Sequence, residues 1–178
     1  MGEREISDEM TTPSLGRPSV GMTLMMLVGA AGFMLVFFGL YQILGVGMPA
    51  FGLLFLVYWA AILKQDLKTY FPALLGGLTG ILLGWLLVAM LPLAGTAAIA
   101  LSLATVAVVL FCFMRGHVPL LINNSTMLFL TVATITDLNA AQNALIMAIS
   151  LLLGAAYMGG TTLAVTQFLK MRAQRHQV

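Results

Sequence analysis

Apolar residues run in long uncharged blocks along this 178-residue chain, each closed by a short cluster of glycine, proline or charge. Six blocks stand out: Met22 to Leu44, Met48 to Leu63, Phe71 to Leu91, Leu93 to Met114, Val118 to Ile135 and Ala140 to Leu169. A hydrocarbon layer about 30 Å thick needs about 20 apolar residues in helical form to cross it. Blocks of this kind predict an all-α, polytopic membrane protein with six transmembrane helices. The second and fifth are shorter, with a proline in the first turn of each, Pro49 and Pro119. At about 1.5 Å per residue they reach roughly 24 to 27 Å, less than the hydrocarbon thickness. Short segments at matching positions of two halves point to a transporter's central site. Ordinary helices in a slightly thinned bilayer are the other reading.

The match is through hydropathy more than letters. Sliding the chain on itself by 71 residues pairs Asp66 and Leu67 with Asp137 and Leu138, Ala73 and Leu74 with Ala144 and Leu145, and Thr79 with Ser150. The same shift lays helix 1 on helix 4, 2 on 5 and 3 on 6. If the chain is duplicated, three crossings per half make the halves inverted repeats in the membrane. Chance matches among so many Leu and Ala residues are the alternative.

Composition closes off a soluble alternative: 61% of residues are hydrophobic and 8% charged, with a mean hydropathy of +1.03. The lipid bilayer is the first expected partner. Residues 1–20 are polar, rich in proline and glycine, and acidic near the start, unlike the basic opening of a signal peptide. They read as a disordered cytoplasmic tail, followed by a six-helix transmembrane domain over 21–170 and a basic cytoplasmic tail over 171–178.

Charge sets the orientation. With both termini cytoplasmic and six crossings, Arg4, Arg17, Lys64, Lys68, Arg115, Lys170, Arg172 and Arg175 all fall inside, and these are all the Lys and Arg in the chain. The opposite loops, near Gly45 to Gly47, near Pro92 and at Thr136 to Asn139, hold none, as the positive-inside rule requires. The expected location is the inner, cytoplasmic membrane, as a multi-pass protein. The net charge of +2 then reports topology and attraction to anionic lipid, and gives no reason to invoke nucleic acid.

Candidate chemistry concentrates in "PLLINNSTMLF", Pro119 to Phe129, where four consecutive polar residues interrupt an apolar block. At 100° per residue Asn123, Thr126 and Thr134 share one side of helix 5, with Asn124 and Thr131 flanking and Ser125 pointing away. Helix 6 carries a line of its own, Asn143, Met147, Ser150 and Gly154, and the two faces could meet. Lipid cannot pair an amide, so these groups must face another helix, a cavity or a ligand. They serve either as hydrogen-bonding glue between helices or as the lining of a solute path formed by Asn123, Asn124, Thr126, Asn143 and Ser150. In helix 3, "GGLTGILLG" places Gly76, Gly80 and Gly84 four apart, a row that lets another helix approach closely.

Nothing points to catalysis. No carboxylate lies within a block, and Asp66 and Asp137 stand just before helices 3 and 6, where an N-cap role suffices. His117 and His176 have no neighbouring ligands in sequence, so no metal site and no cofactor is expected. Thirteen methionines are scattered, and Cys112, alone in its block, reads as a small buried apolar residue.

From Pro49 to about Thr134 the chain resembles the membrane unit of the fusaric acid resistance and aromatic acid exporter group. The residues that carry the likeness are "YWA" at Tyr58 to Ala60 closing one helix, a short basic connection, "LLGGLTGILLG" at Leu74 to Gly84, and a proline turn before the fourth helix. The group often has a basic residue and a Gly-Thr pair in the glycine-rich helix; here Lys68 lies upstream and Leu78 separates Gly77 from Thr79. Its cytosolic domains have no counterpart here, and small six-span bacterial membrane proteins look similar too. The resemblance implies transport. Together these features suggest a permease or channel-like unit for a small organic solute, working as a homo-oligomer. A non-conducting scaffold or accessory subunit that binds partner helices is the alternative. The absence of ionisable groups within the blocks disfavours a proton relay, and favours a neutral solute or an anion held by helix N-termini.

Overall fold

The structure, a computed structural model, describes residues 19–90, 95–135 and 140–175. Most of the N-terminal tail, the Pro92 turn, the loop Thr136 to Asn139 with Asp137 and Leu138, and His176 lie outside the described residues. All regular structure within them is helical: α1 Val20–Leu44, α2 Pro49–Val57, α3 Leu67–Met90, α4 Gly95–Arg115, α5 Asn124–Ala133 and α6 Ala140–Arg175. The last turn of α2 widens into a π-helical stretch, Tyr58–Ile62. Four of these helices, α1, α3, α4 and α6, are long and apolar enough to cross a membrane, while the segments Pro49–Ile62 and Asn124–Ala133 are short.

The chain divides after Val36 into two compact units. The described part of the first is the beginning of α1, with exposed apolar side chains such as Met25 and Leu35. The second, from Phe37 onward, has a core in which α3 packs on α5, α2 on α6, and α3 on α6. Phe51 and Phe55 of α2, Phe129 of α5, and Met147 and Leu151 of α6 are fully or almost fully buried there. Only a light contact joins α4 to α3, and most α4 side chains, among them Leu103 and Val108, are exposed.

Glycine makes the close approaches possible. A Cβ on Gly80 would lie 2.5 Å from the Thr126 carbonyl oxygen and 2.8 Å from the Leu130 nitrogen, and one on Gly84 would lie 2.6 Å from Ala133 Cβ. The row read from the sequence therefore faces α5 of the same chain. On the other side of the core, a Cβ on Gly154 would strike the backbone of Gly52, 2.6 Å from its carbonyl oxygen. Asn123, Thr126 and Ala133 meet Gly76, Gly80 and Gly84 in ascending order, so α5 runs parallel to α3. Met48 and Gly52 meet Ser150 and Gly154 likewise, so α2 runs parallel to α6. Between α3 and α6 the order is reversed, because Gly77 meets Leu151 while Tyr70 reaches Ala155 and Gly159.

The fifth helix differs most from expectation, with ten residues against the eighteen of the block Val118 to Ile135. Residues 118–123 form turns, with Leu121 N and Ile122 N both donating to the Val118 carbonyl. The reason is local. Asn123 adopts an extended conformation and caps the helix, which an asparagine does better than it continues one. At the other end of the chain α6 continues to Arg175, past the expected Leu169.

Candidate functional site

The N-terminus of α5 is held by a reciprocal capping box. Asn123 Oδ1 accepts the N–H groups of Ser125 at 2.9 Å and Thr126 at 3.3 Å, while the Asn123 N–H donates to Thr126 Oγ1 at 3.1 Å. The same asparagine reaches across to α3, its Nδ2 donating to the Pro72 carbonyl at 2.8 Å. Ser125 Oγ donates to the Ala73 carbonyl at 2.7 Å. Gly76 leaves room for this junction, since a Cβ there would overlap the Asn123 amide. Pro72 has no N–H of its own, so it loosens the first turns of α3 where α5 docks.

Ser150 does for α2 what Asn123 does for α5, but from another helix. Its hydroxyl donates to the Met48 carbonyl at 2.7 Å, which also accepts the Phe51 N–H, and accepts the Gly52 N–H at 3.2 Å in the first turn of α2. Tyr41 at the end of α1 donates to the Ser150 carbonyl at 2.5 Å. Asn143 stands near the start of α6 and is half-buried. Thr131 and Thr134 return their hydroxyls to their own helix, at Met127 and Thr131. Asn123 and Ser125 of α5 bond to α3, and Ser150 of α6 bonds to the start of α2, so these polar side chains serve the pairing of a short helix with a long one.

A cavity of about 360 Å³ opens beside the α5 N-terminus, between the π-helical end of α2, the start of α3 and the α4–α5 turn. Tyr58, Pro72, Phe113, Ile122, Asn123 and Asn124 are among its walls. A second cavity, about 480 Å³, runs along the outer side of α5 past Met127 and Thr131, and it shares Tyr58 and Asn124 with the first. The cavities gather two of the five sequence-derived path residues, Asn123 and Asn124. Thr126, Asn143 and Ser150 line neither.

Depth follows from the partners along α3. Asn123 meets Pro72 and Gly76, five and nine residues beyond Leu67, which places the α5 N-terminus roughly 8 to 14 Å along that helix. The chain from Gly116 to Asn123 reaches this point on α3 without helical structure. Where a bilayer surrounds such non-helical backbone, protein or a water-filled cavity must satisfy it. Here Gly116, Pro119 and Ile122 line the cavity. Val118, β-branched and followed by proline, has φ +53°, a left-handed conformation that strains the turn.

Asn124 is exposed and Tyr58 is 6% exposed. No side-chain hydrogen bond engages either the Asn124 amide or the Tyr58 hydroxyl among the described residues, whereas the neighbouring Asn123, Ser125 and Thr126 are fully engaged. Sequence reading missed Tyr58 as a site residue. The aromatic pair was visible, but the π-turn that aims it at the cavity has no local sequence signature. Asp66 takes the capping role expected of it, with Oδ1 accepting from Lys68 N at 2.9 Å. No group of three or more His, Cys, Asp or Glu that could hold a metal occurs among the described residues. No protein-family description, characterised protein or solved structure matches this chain.

Proposed function

We propose that the protein is a six-span permease or channel-like unit for a small organic solute, with Tyr58 and Asn124 as its solute contacts. One observation carries this reading: irregular backbone beside the membrane-length α3 lines a cavity in which two hydrogen-bonding side chains have no protein partner among the described residues. Helix packing alone gives no reason to leave an amide unpaired there. The solute-path role moves from the whole polar run to Asn124, joined by Tyr58, while Asn123, Thr126 and Ser150 brace the broken helices around it.

An inverted repeat supports the same reading. Both α1 and α4 end in a left-handed glycine, Gly45 at φ +63° and Gly116 at φ +65°. The following amide reaches back to Tyr41 in one case and Cys112 in the other, 71 residues apart. Beyond this point the offset grows. Gly154 on Gly52 corresponds to Gly80 on Thr126, and each member is 74 residues from its counterpart. The same shift carries the contact of Gly77 with Leu151 onto itself, as expected of a pair lying on a two-fold axis. The halves differ at the link into the short helix, four residues at 45–48 against eight at 116–123, and the longer link lines the cavity. Paired short helices beside such a site are a transporter arrangement, and the exporter-group resemblance points the same way. Under this reading the termini are cytoplasmic and the cavity opens on the cytoplasmic side, near Lys64 and Arg115.

Flux tests it. Purified protein in lipid vesicles should pass small organic solutes faster than protein-free vesicles, and Asn124→Leu should slow that flux about 5-fold or more without loss of folded protein. Equal flux with and without protein across a broad solute panel would favour the non-conducting scaffold.

A further inference from the structure

Resting on that reading, we infer that the cavity selects an uncharged solute bearing a carboxamide-like head group, held by the Tyr58 hydroxyl and the Asn124 amide. The hydroxyl is the decisive group. Tyr58 is more than nine-tenths buried and lines both cavities, yet its hydroxyl makes no hydrogen bond among the described residues. Among described residues only Ser102 Oγ is fully enclosed without a partner. The Tyr58 oxygen is therefore not fully enclosed, on a residue that lines both cavities.

Charge narrows the choice. Among the described residues no Asp, Glu, Lys, Arg or His belongs to the wall of either cavity, so a carboxylate or ammonium entering would lose hydration and gain no counter-ion from them. Lys64 and Arg115 adjoin the lining residues Leu63 and Gly116 in sequence, but both side chains are exposed. The α5 N-terminus offers an anion little, because Asn123 already occupies two of its amides. The remaining hydrogen-bond capacity is mixed. Asn124 offers one acceptor and two donors in a plane, and a phenol can donate or accept. A carboxamide or urea group presents the matching donor and acceptor side by side, and Pro72, Phe113 and Ile122 offer surface to an apolar body.

Three probes that share a ring test the head group: benzamide, benzoate and benzylammonium, titrated calorimetrically at pH 7 into the purified full-length protein. Benzamide should bind saturably and at least 10-fold more tightly than either ion. Tyr58→Phe should weaken it about 5- to 10-fold while leaving the melting temperature unchanged, since the hydroxyl has no protein partner to lose. Tighter binding of benzoate or benzylammonium, or binding of none of the three, overturns the inference. So does a Tyr58→Phe variant that melts lower and binds benzamide as before, because the hydroxyl would then be structural. Vesicle flux separates this from the function: benzamide that binds but crosses no faster than through lipid alone upholds the head-group site and removes the permease.

Discussion

Ser150 and Asn123 show how one polar side chain can hold a short helix in an apolar setting. A helix that begins below the membrane surface has open N–H groups and no water to take them. Asn123 meets this need within α5 and, with its second amide position, fixes α5 to Pro72. Ser150 meets it for α2 from a neighbouring helix and also receives Tyr41 through its carbonyl. Asn123→Leu should therefore lower the melting temperature, with a cost of about 1 to 3 kcal/mol from the lost cap and interhelical bond together. Ser150→Ala should cost about 1 to 2 kcal/mol, because Gly52 N–H loses its partner. Thermal unfolding in detergent measures both. Asn124→Leu provides the contrast, since its amide has no protein partner: stability should hold while flux falls. An Asn123→Leu variant that melts normally would show that the cap contributes little.

Packing between elements was partly legible in the sequence. The four-residue spacing of Gly76, Gly80 and Gly84 announced a close helix contact, and the structure supplies α5 as the partner. Nothing local could have named that partner, because a glycine row fits any helix of compatible surface. The polar run in "PLLINNSTMLF" was legible as a place needing hydrogen bonds. Its division was not, since asparagine can extend a helix or start one, and the local capping box with Thr126 is joined by a tertiary bond to Pro72 in setting the start at Asn123. The π-turn at Tyr58–Ile62 was equally hidden, as it arises from packing. For the α3–α5 pair the expected outcome is sharp. Gly80→Leu would drive a side chain into the Thr126 carbonyl and Leu130 nitrogen, atoms of a backbone that cannot rotate away. Overpacking of this kind costs about 1 to 3 kcal/mol or more, so the variant should melt lower and distort the cavity beside the α5 N-terminus. Gly160→Leu, where an added Cβ meets nothing within 4 Å, is the matched control and should melt as the parent does. Equal melting of both variants would mean that α5 does not seat on the glycine row.

At the scale of the whole molecule, helix directions constrain how the chain threads the bilayer. Parallel pairing of α3 with α5, parallel pairing of α2 with α6, and antiparallel pairing of α3 with α6 leave two directions among these four helices. If α3 crosses outward from Lys68, α5 runs outward from the Arg115 side, and α2 and α6 run inward. The distribution of Lys and Arg favours the same sense. The short helices leave one competing topology, in which α2 or α5 dips into the membrane and returns to the side it came from. Reporters separate the two. Fusions after Lys68, Arg115 and Val178 should read cytoplasmic, and those at Gly47 and Asn139 external, if both short segments cross. A cytoplasmic signal at Gly47 would make α2 re-entrant, and one at Asn139 would do the same for α5. Either result would rule out the proposed inverted repeat, because three crossings per half are what turn one half over. The cavity's mouth would stay on the Arg115 side in either case, since Asn124 opens toward the side from which α5 begins.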